Sequence, residues 1–187
     1  DETYTTDVAG LSKEYRDSSS RLVFAFVFAL VLIYLVLSAQ FESFKDPLTI
    51  MFTVPLAIFG ALFSLWLFDF TLNVFSQIGI IMLIGLVTKN GILIVEFANQ
   101  RKAQGIPISA AIEGAAAARF RPILMTSLST ILGILPIALA LGAGSEGRVP
   151  MGVAVVGGML LATLLTLFII PGIYTYLTSK KGRLARV

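Results

Sequence analysis

Five long apolar segments constrain this chain more than any other feature of its sequence. About 20 consecutive apolar residues are enough to span the hydrocarbon core of a bilayer. Hydrophobic residues make up 57% of the 187 positions and charged residues 13%, against about 45–50% and about 25% in ordinary soluble domains. A water-soluble fold of this length cannot bury so much apolar surface. The sequence therefore predicts an all-α integral membrane protein, a five-helix transmembrane bundle.

The predicted spans are separated by short polar stretches. They cover about residues 22–39, 47–68, 72–98, 122–142 and 149–178. Together they form a bundle over 21–179, with a polar segment, 1–20, before it and a basic tail, 180–187, after it. Between the third and fourth spans, an amphipathic stretch predicts a short helix at about 106–118 along the membrane surface. The alternative for this stretch is a solvated loop.

Basic residues are unevenly divided between the two sides of this topology. The poorer side holds Lys13, Arg16, Arg21 and Arg148. The richer side holds Lys45, Arg101, Lys102, Arg119, Arg121, Lys180, Lys181, Arg183 and Arg186. The positive-inside rule places the richer side in the cytoplasm. We therefore predict an extracytoplasmic N-terminus and a cytoplasmic C-terminus.

Composition also argues against several classes of function. The chain contains no cysteine and no histidine, which excludes disulfides, thiolate metal sites and the usual neutral-pH proton shuttle. We find no nucleophile–base pair and no nucleotide motif, so we predict neither an enzyme nor a metal or organic cofactor. The basic residues flank the spans, which indicates lipid contact rather than nucleic-acid binding. The Gly157-Gly158 pair predicts a close helix contact.

Lys89 is the residue that most needs a functional explanation. It lies about ten residues from the cytoplasmic end of its span, roughly 15 Å at 1.5 Å per residue. A lysine at this depth costs about 2.5–3.5 kcal/mol, so we expect it to face a bundle interior and meet a carboxylate or a water-filled cavity. Glu96, the other acid in a predicted span, lies about 10 Å farther along the axis. We therefore expect the counter-charge from membrane helices outside this chain; the alternative is a static ion pair.

The neighbours of Lys89 on its helix are secondary candidates. Gly85 and Glu96 share its face to within about 40°, and a glycine there permits a close helix approach. Glu96 is a candidate proton site or an interfacial charge. Asn90 is expected either to orient Lys89 or to pack against a helix.

A second polar stripe lies on the fourth span. Thr126 and Thr130 share one face, and Arg119 joins them if the helix begins before Pro122. Their hydroxyls are candidates for bonding a lysine or a water chain. The alternative is that each hydroxyl bonds the backbone of its own helix.

Three strings in this sequence resemble a known transporter family. Residues 85–98 (GLVTKNGILIVEFA) are similar to the tenth membrane helix of resistance-nodulation-division exporters, closest to their hydrophobe/amphiphile efflux branch. Residues 119–127 (RFRPILMTS) resemble the start of the eleventh helix, and residues 39–44 (AQFESF) the loop after the eighth. The resemblance extends over essentially the whole chain.

This resemblance implies a part of a larger machine. Such exporters have twelve membrane helices and two large periplasmic loops, lie in the bacterial inner membrane and work as homotrimers. Proton influx is their energy source, and they export through a periplasmic adaptor and an outer-membrane channel. On this comparison, residues 1–20 match the end of the periplasmic porter region, and the five spans match helices eight to twelve. The N-terminus is then periplasmic, and this part alone is expected to be inactive.

The resemblance also assigns roles to individual residues. The family's proton relay couples a lysine to two aspartates of the fourth helix, with a threonine and an arginine from the eleventh helix region. Lys89 matches the lysine, Thr126 the threonine and Arg119 the arginine. Heavy-metal exporters of the superfamily carry different charged residues here, so drug-like substrates are expected first. The alternatives are a channel-type or structural subunit, or an exporter of lipid or metal.

Overall fold

The structure, a computed structural model, describes residues 11–142 and 146–184, with side chains described for 21–142 and 147–176. This part of the chain is helical throughout its regular structure. The elements are α1 (Leu11–Phe41), α2 (Lys45–Met51), α3 (Thr53–Leu67), α4 (Val74–Ala103), α5 (Ile108–Ala138) and α6 (Val149–Leu184), with a short 3-10 helix (Glu146–Arg148) before α6.

Five helical segments are long and apolar enough to cross a membrane, namely α1, α2 together with α3, α4, α5 and α6. The predicted all-α, five-span architecture is confirmed. Residues 11–20 of the predicted polar segment are helical and continue into the first span, whereas residues 1–10 lie outside the described part. Of the predicted basic tail, residues up to Leu184 belong to α6, and residues 185–187 are not described.

The second span is divided at Phe52. Pro55 has no N–H for the carbonyl of Met51, and its ring crowds that same carbonyl. The chain therefore ends α2 at Met51 and begins α3 at Thr53, which places Pro55 in the first turn of α3. Phe52 keeps helical backbone angles, φ −63° and ψ −16°, so the two helices follow one another as one span.

The predicted separation of a surface helix at 106–118 from a span at 122–142 is wrong. One helix, α5, runs from Ile108 to Ala138 and passes through Pro122. Its amphipathic first part does not lie free on a surface, because Ile112 and Ala115 are buried in a cluster with Ala98 of α4 and Tyr174 of α6. The alanines before Pro122 favour a helix. Pro122 itself is exposed, and a proline inside a membrane helix is tolerated where its surroundings satisfy the freed backbone groups.

Helix α6 is the centre of the bundle and packs against α3, α4 and α5. Glycines allow the close approach that the sequence predicted. A Cβ added at Gly157 would lie 1.8 Å from Ser64 Oγ, and one added at Gly158 would lie 3.2 Å from the backbone nitrogen of Ala61. Both partners belong to α3. Helix α1 is peripheral, packs on α2 and α4, and exposes most of its apolar side chains.

Candidate functional site

Lys89 lies at the centre of the open face of α4. At 100° per residue, the exposed residues Ile78, Met82 and Gly85 fall within about 40° of it. The buried residues of α4, such as Val87 and Ile94, occupy the other side and pack into the bundle. Lys89 therefore does not face the interior of the bundle formed by these five spans. Among the side chains that the structure describes, none accepts a hydrogen bond or ion pair from Lys89.

Gly85 and Glu96 follow the same face. Gly85 is exposed, and a Cβ added there would meet no atom within 4 Å. The close helix approach that its position predicts is therefore not made by the described part of this chain. Glu96 is half-buried, and it forms no ion pair with a described side chain. The face thus carries a lysine, a glutamate and, at Gly85, an uncovered stretch of backbone.

Asn90, directly after Lys89, points inward. It is buried, and its Nδ2 donates to Ser127 Oγ of α5 at 3.3 Å. The same Ser127 oxygen accepts from Thr163 Oγ1 of α6 at 3.1 Å. We call Asn90, Ser127 and Thr163 the inner polar cluster. Sequence reasoning proposed two roles for Asn90 and missed the other two residues, whose only signal was a hydroxyl within a predicted span.

Two contacts set the register of α4 against α5. One is the Asn90–Ser127 hydrogen bond; the other joins Phe97 to Arg119. Phe97 lies seven residues after Asn90 on α4, whereas Arg119 lies eight residues before Ser127 on α5. The two helices are therefore antiparallel. Lys89 and Thr126, each adjacent to a member of the first pair, therefore lie within about 3 Å of the same depth.

The guanidinium group of Arg119 contacts the aromatic ring of Phe97 on α4. Its Cζ lies 4.8 Å from the centroid of Phe97, a distance at which the guanidinium charge is attracted to the face of the ring. Its Nε is buried and has no hydrogen-bond partner among the described residues. Since α5 is continuous through Pro122, Arg119 falls within about 20° of Thr126 on the helix surface, as the sequence predicted for a helix that begins early.

The hydroxyls of the threonine stripe bond their own helix. Thr126 Oγ1 donates to the carbonyl oxygen of Ile123 at 3.1 Å, and Thr130 Oγ1 to that of Thr126 at 2.8 Å. This is the alternative that the sequence left open. Thr126 is exposed, and because its hydroxyl donates to Ile123, both lone pairs of its oxygen remain available as acceptors.

Two hydrogen bonds connect α6, α4 and α2 nearer the end of the bundle. Tyr174 Oη of α6 donates to Asn99 Oδ1 of α4 at 2.6 Å, and Asn99 Nδ2 donates to Asp46 Oδ2 of α2 at 3.0 Å. Tyr174 is 1% exposed. The sequence did not indicate these contacts, because Asp46 lies just before one predicted span and Asn99 just after another. Within the described residues, no group of three or more acidic side chains is placed to hold a metal ion.

Comparisons with known proteins match this arrangement to a family. The model of the AcrB/AcrD/AcrF family matches residues 1–178. The chain is 42% identical over 170 residues to multidrug resistance protein MdtC of Erwinia amylovora, covering 90% of this chain and 17% of that protein. It is 40% identical over 184 residues to an uncharacterized transporter of Haemophilus influenzae, covering 95% of this chain and 18% of that protein.

A solved structure agrees with the sequence relatives. The crystal structure of a heavy metal efflux pump superposes with a TM-score of 0.80 at 34% identity, over 91% of this chain and 17% of that one. The chain therefore spans less than a fifth of the length of the relatives that it matches. The family match, the identities and the five-span fold together show that the chain belongs to the AcrB/AcrD/AcrF family of resistance-nodulation-division efflux transporters.

Proposed function

We propose that this chain forms part of the membrane domain of a proton-driven multidrug efflux pump in the bacterial inner membrane. Lys89, Thr126 and Arg119 form one side of the proton relay. The N-terminus faces the periplasm and the C-terminus the cytoplasm. The complete pump is a homotrimer that works with a periplasmic adaptor and an outer-membrane channel. The proton gradient is its only energy source, and this part alone transports nothing.

The observation that carries the proposal is the position of Lys89. A lysine exposed to lipid near the bilayer centre costs at least about 2.5–3.5 kcal/mol. Lys89 is exposed on these five spans and has no carboxylate partner among the described residues. Membrane helices from outside this chain therefore cover the open face of α4 and supply the counter-charge. The two aspartates of the family's fourth helix have the required charge, and Gly85 leaves space for that helix to approach.

In the relay, protonation of the carboxylates breaks their ion pair with Lys89. While the carboxylates are ionised, they hold Lys89 by charge. When protons from the periplasm neutralise them, Lys89 is released and the balance between two helix arrangements shifts. Thr126, at nearly the same depth, offers a hydroxyl to Lys89 or to a water molecule. Arg119 keeps a positive charge beside Phe97 at the level where protons leave.

Replacing Lys89 by methionine in the full-length transporter tests the proposal. Methionine keeps an unbranched side chain and removes the charge. We expect efflux of drug-like substrates to fall to the rate of cells without the pump, at unchanged membrane abundance and trimer content. Lys102→Met is the matched control, because Lys102 is an exposed lysine on the last turn of the same helix. Normal efflux by Lys89→Met would show that the relay does not depend on this residue.

Metal export is the second candidate, because the matching crystal structure is that of a heavy metal efflux pump. The likeness to MdtC at higher identity favours drug-like substrates. Cells that carry the full-length transporter separate the two candidates when efflux of a lipophilic dye and tolerance of Cu⁺, Ag⁺ and Zn²⁺ are measured side by side. Conductance without a proton gradient would instead support a channel.

A further inference from the structure

We propose that Asn90, Ser127 and Thr163 are positioning residues of the relay. Their hydrogen bonds hold α4 against α5 and α6 in the register that sets Lys89 level with Thr126. This inference rests on the proposed role of Lys89, but it assigns a function to three residues that do not face the open side. Asn90, Ser127 and Thr163 are 2%, 4% and 3% exposed.

The location of the cluster is the first argument. Asn90 is the residue after Lys89, and Ser127 is the residue after Thr126, so a shift of one helix along the other changes both pairs together. Buried apolar side chains surround this level of the bundle, with Val87 and Ile131 in one core cluster and Ile94 in the next. Apolar side chains tolerate sliding in a membrane, because lipid is as apolar as the neighbouring helix. A hydrogen bond to one defined oxygen is lost when one helix slides along the other.

The shared acceptor is the second argument. Ser127 Oγ accepts from Asn90 at 3.3 Å and from Thr163 at 3.1 Å. One oxygen on α5 therefore fixes the depth of two other helices. Helix α6 also packs against α3. Through the Ser127 oxygen, the position of Lys89 along the bundle is therefore fixed relative to α5 and α6, and through α6 relative to α3. Membrane hydrogen bonds are modest in strength, so the cluster can open and close again during a transport cycle.

The chain offers a closely matched control. Thr166 lies on α6 three residues after Thr163 and is 0% exposed, but its Oγ1 has no hydrogen-bond partner among the described residues. Replacing either threonine by valine removes one buried hydroxyl from the same helix at nearly constant volume. Only Thr163→Val breaks the inner polar cluster. A comparison of these two variants therefore separates positioning from a general sensitivity of α6 to substitution.

The experiment measures substrate efflux by the full-length transporter at matched membrane abundance, over a range of substrate concentrations. We expect Thr163→Val to lower the maximal rate by about three- to twentyfold, the range set by one membrane hydrogen bond. The half-saturating concentration stays unchanged, because substrate binding is not altered. Thr166→Val keeps the normal rate, and Thr163→Ser, which retains the hydroxyl, restores it.

Ser127→Ala provides a second variant. It is expected to lower the maximal rate at least as far as Thr163→Val, and the double variant no further than Ser127→Ala alone, since both changes remove the same bond. Equal rates for Thr163→Val and Thr166→Val would overturn the inference, as would a Thr163→Ser variant as slow as Thr163→Val. If Lys89→Met transports normally, the proposed relay fails and the positioning role fails with it. If only Lys89→Met loses transport, the relay stands without the positioning residues.

Discussion

The contact between α3 and α6 at Gly157 predicts a large loss of stability from one added methyl group. A Cβ at this position would lie 1.8 Å from Ser64 Oγ and 2.4 Å from Ser64 Cβ, whereas ordinary contacts begin at 3.4 Å. The two helices must therefore separate locally by about 1 Å, because rotation of Ser64 would move its Oγ but leave its Cβ at 2.4 Å. Rotation is opposed, because Ser64 is 5% exposed and its Oγ donates to the carbonyl oxygen of Gly60 at 2.8 Å.

The size of the effect follows from this geometry. Overpacking a tight contact costs about 1–3 kcal/mol. A gap of about 1 Å also removes a quarter to a half of the dispersion energy of each contact that it opens. We therefore expect Gly157→Ala to destabilise the full-length transporter by about 2–3 kcal/mol. In intrinsic helix propensity alone, alanine would be favoured over glycine by about 1 kcal/mol, so the sign of the change distinguishes packing from propensity.

The assay is thermal unfolding of the purified transporter in detergent, followed by the loss of the monodisperse form. Gly172→Ala is the control, because Gly172 lies on α6 and a Cβ there would meet no atom within 4 Å. It should unfold at the normal temperature or above it. Ser64→Gly combined with Gly157→Ala moves the small residue to the other helix and should recover much of the loss. A Gly157→Ala variant as stable as Gly172→Ala would refute the reasoning.

Two further predictions concern hydrogen bonds whose partners the structure identifies. Tyr174→Phe removes the 2.6 Å bond to Asn99 and should lower the unfolding temperature by the equivalent of about 1 kcal/mol; no change in the same assay would contradict that bond. At the start of α4, Asn73 Oδ1 accepts from the Ser76 N–H at 2.7 Å and Ser76 Oγ accepts from the Asn73 N–H at 2.9 Å. Asn73→Ala should therefore cost about 0.5–2 kcal/mol, whereas Asn73→Ser, which keeps a capping oxygen, should cost less in the same measurement.

The spans could be predicted because the bilayer sets a minimum length for apolar segments, and that length can be counted in a sequence. The continuity of α5 through Pro122 could not be predicted. An amphipathic stretch has an apolar face, but the pattern does not say whether that face meets lipid or protein. At Ile112 and Ala115 it meets α4 and α6, and the helix then continues through Pro122.

Some residues of the candidate site could likewise be predicted from the sequence, and others could not. Lys89 could be selected because a charge deep in a span is costly whatever surrounds it. Ser127 and Thr163 could not be selected, because a hydroxyl in a span gains meaning only from its partner. That partner depends on the register between helices, which the pattern of residue types along one chain does not reveal. For Asn90 the sequence left two roles open, and the structure shows an inward hydrogen bond to Ser127.

The two sides of α4 have opposite characters, and this bears on how a change of charge on the carboxylates that face Lys89 can move the bundle. The outer side carries Lys89 and Glu96, which have no ion-pair partners among the described residues. The inner side bonds α5 and α6 through Asn90 and the Ser127 oxygen, and bonds α2 and α6 through Asn99. In the proposed mechanism, protonation acts on the outer side, and any displacement of α4 strains these inner bonds. Each is worth about 1 kcal/mol, less than the charge interaction that protonation removes. The change of charge can therefore open the inner bonds, so that α4 moves relative to α5 and α6, and the bonds form again when the relay resets.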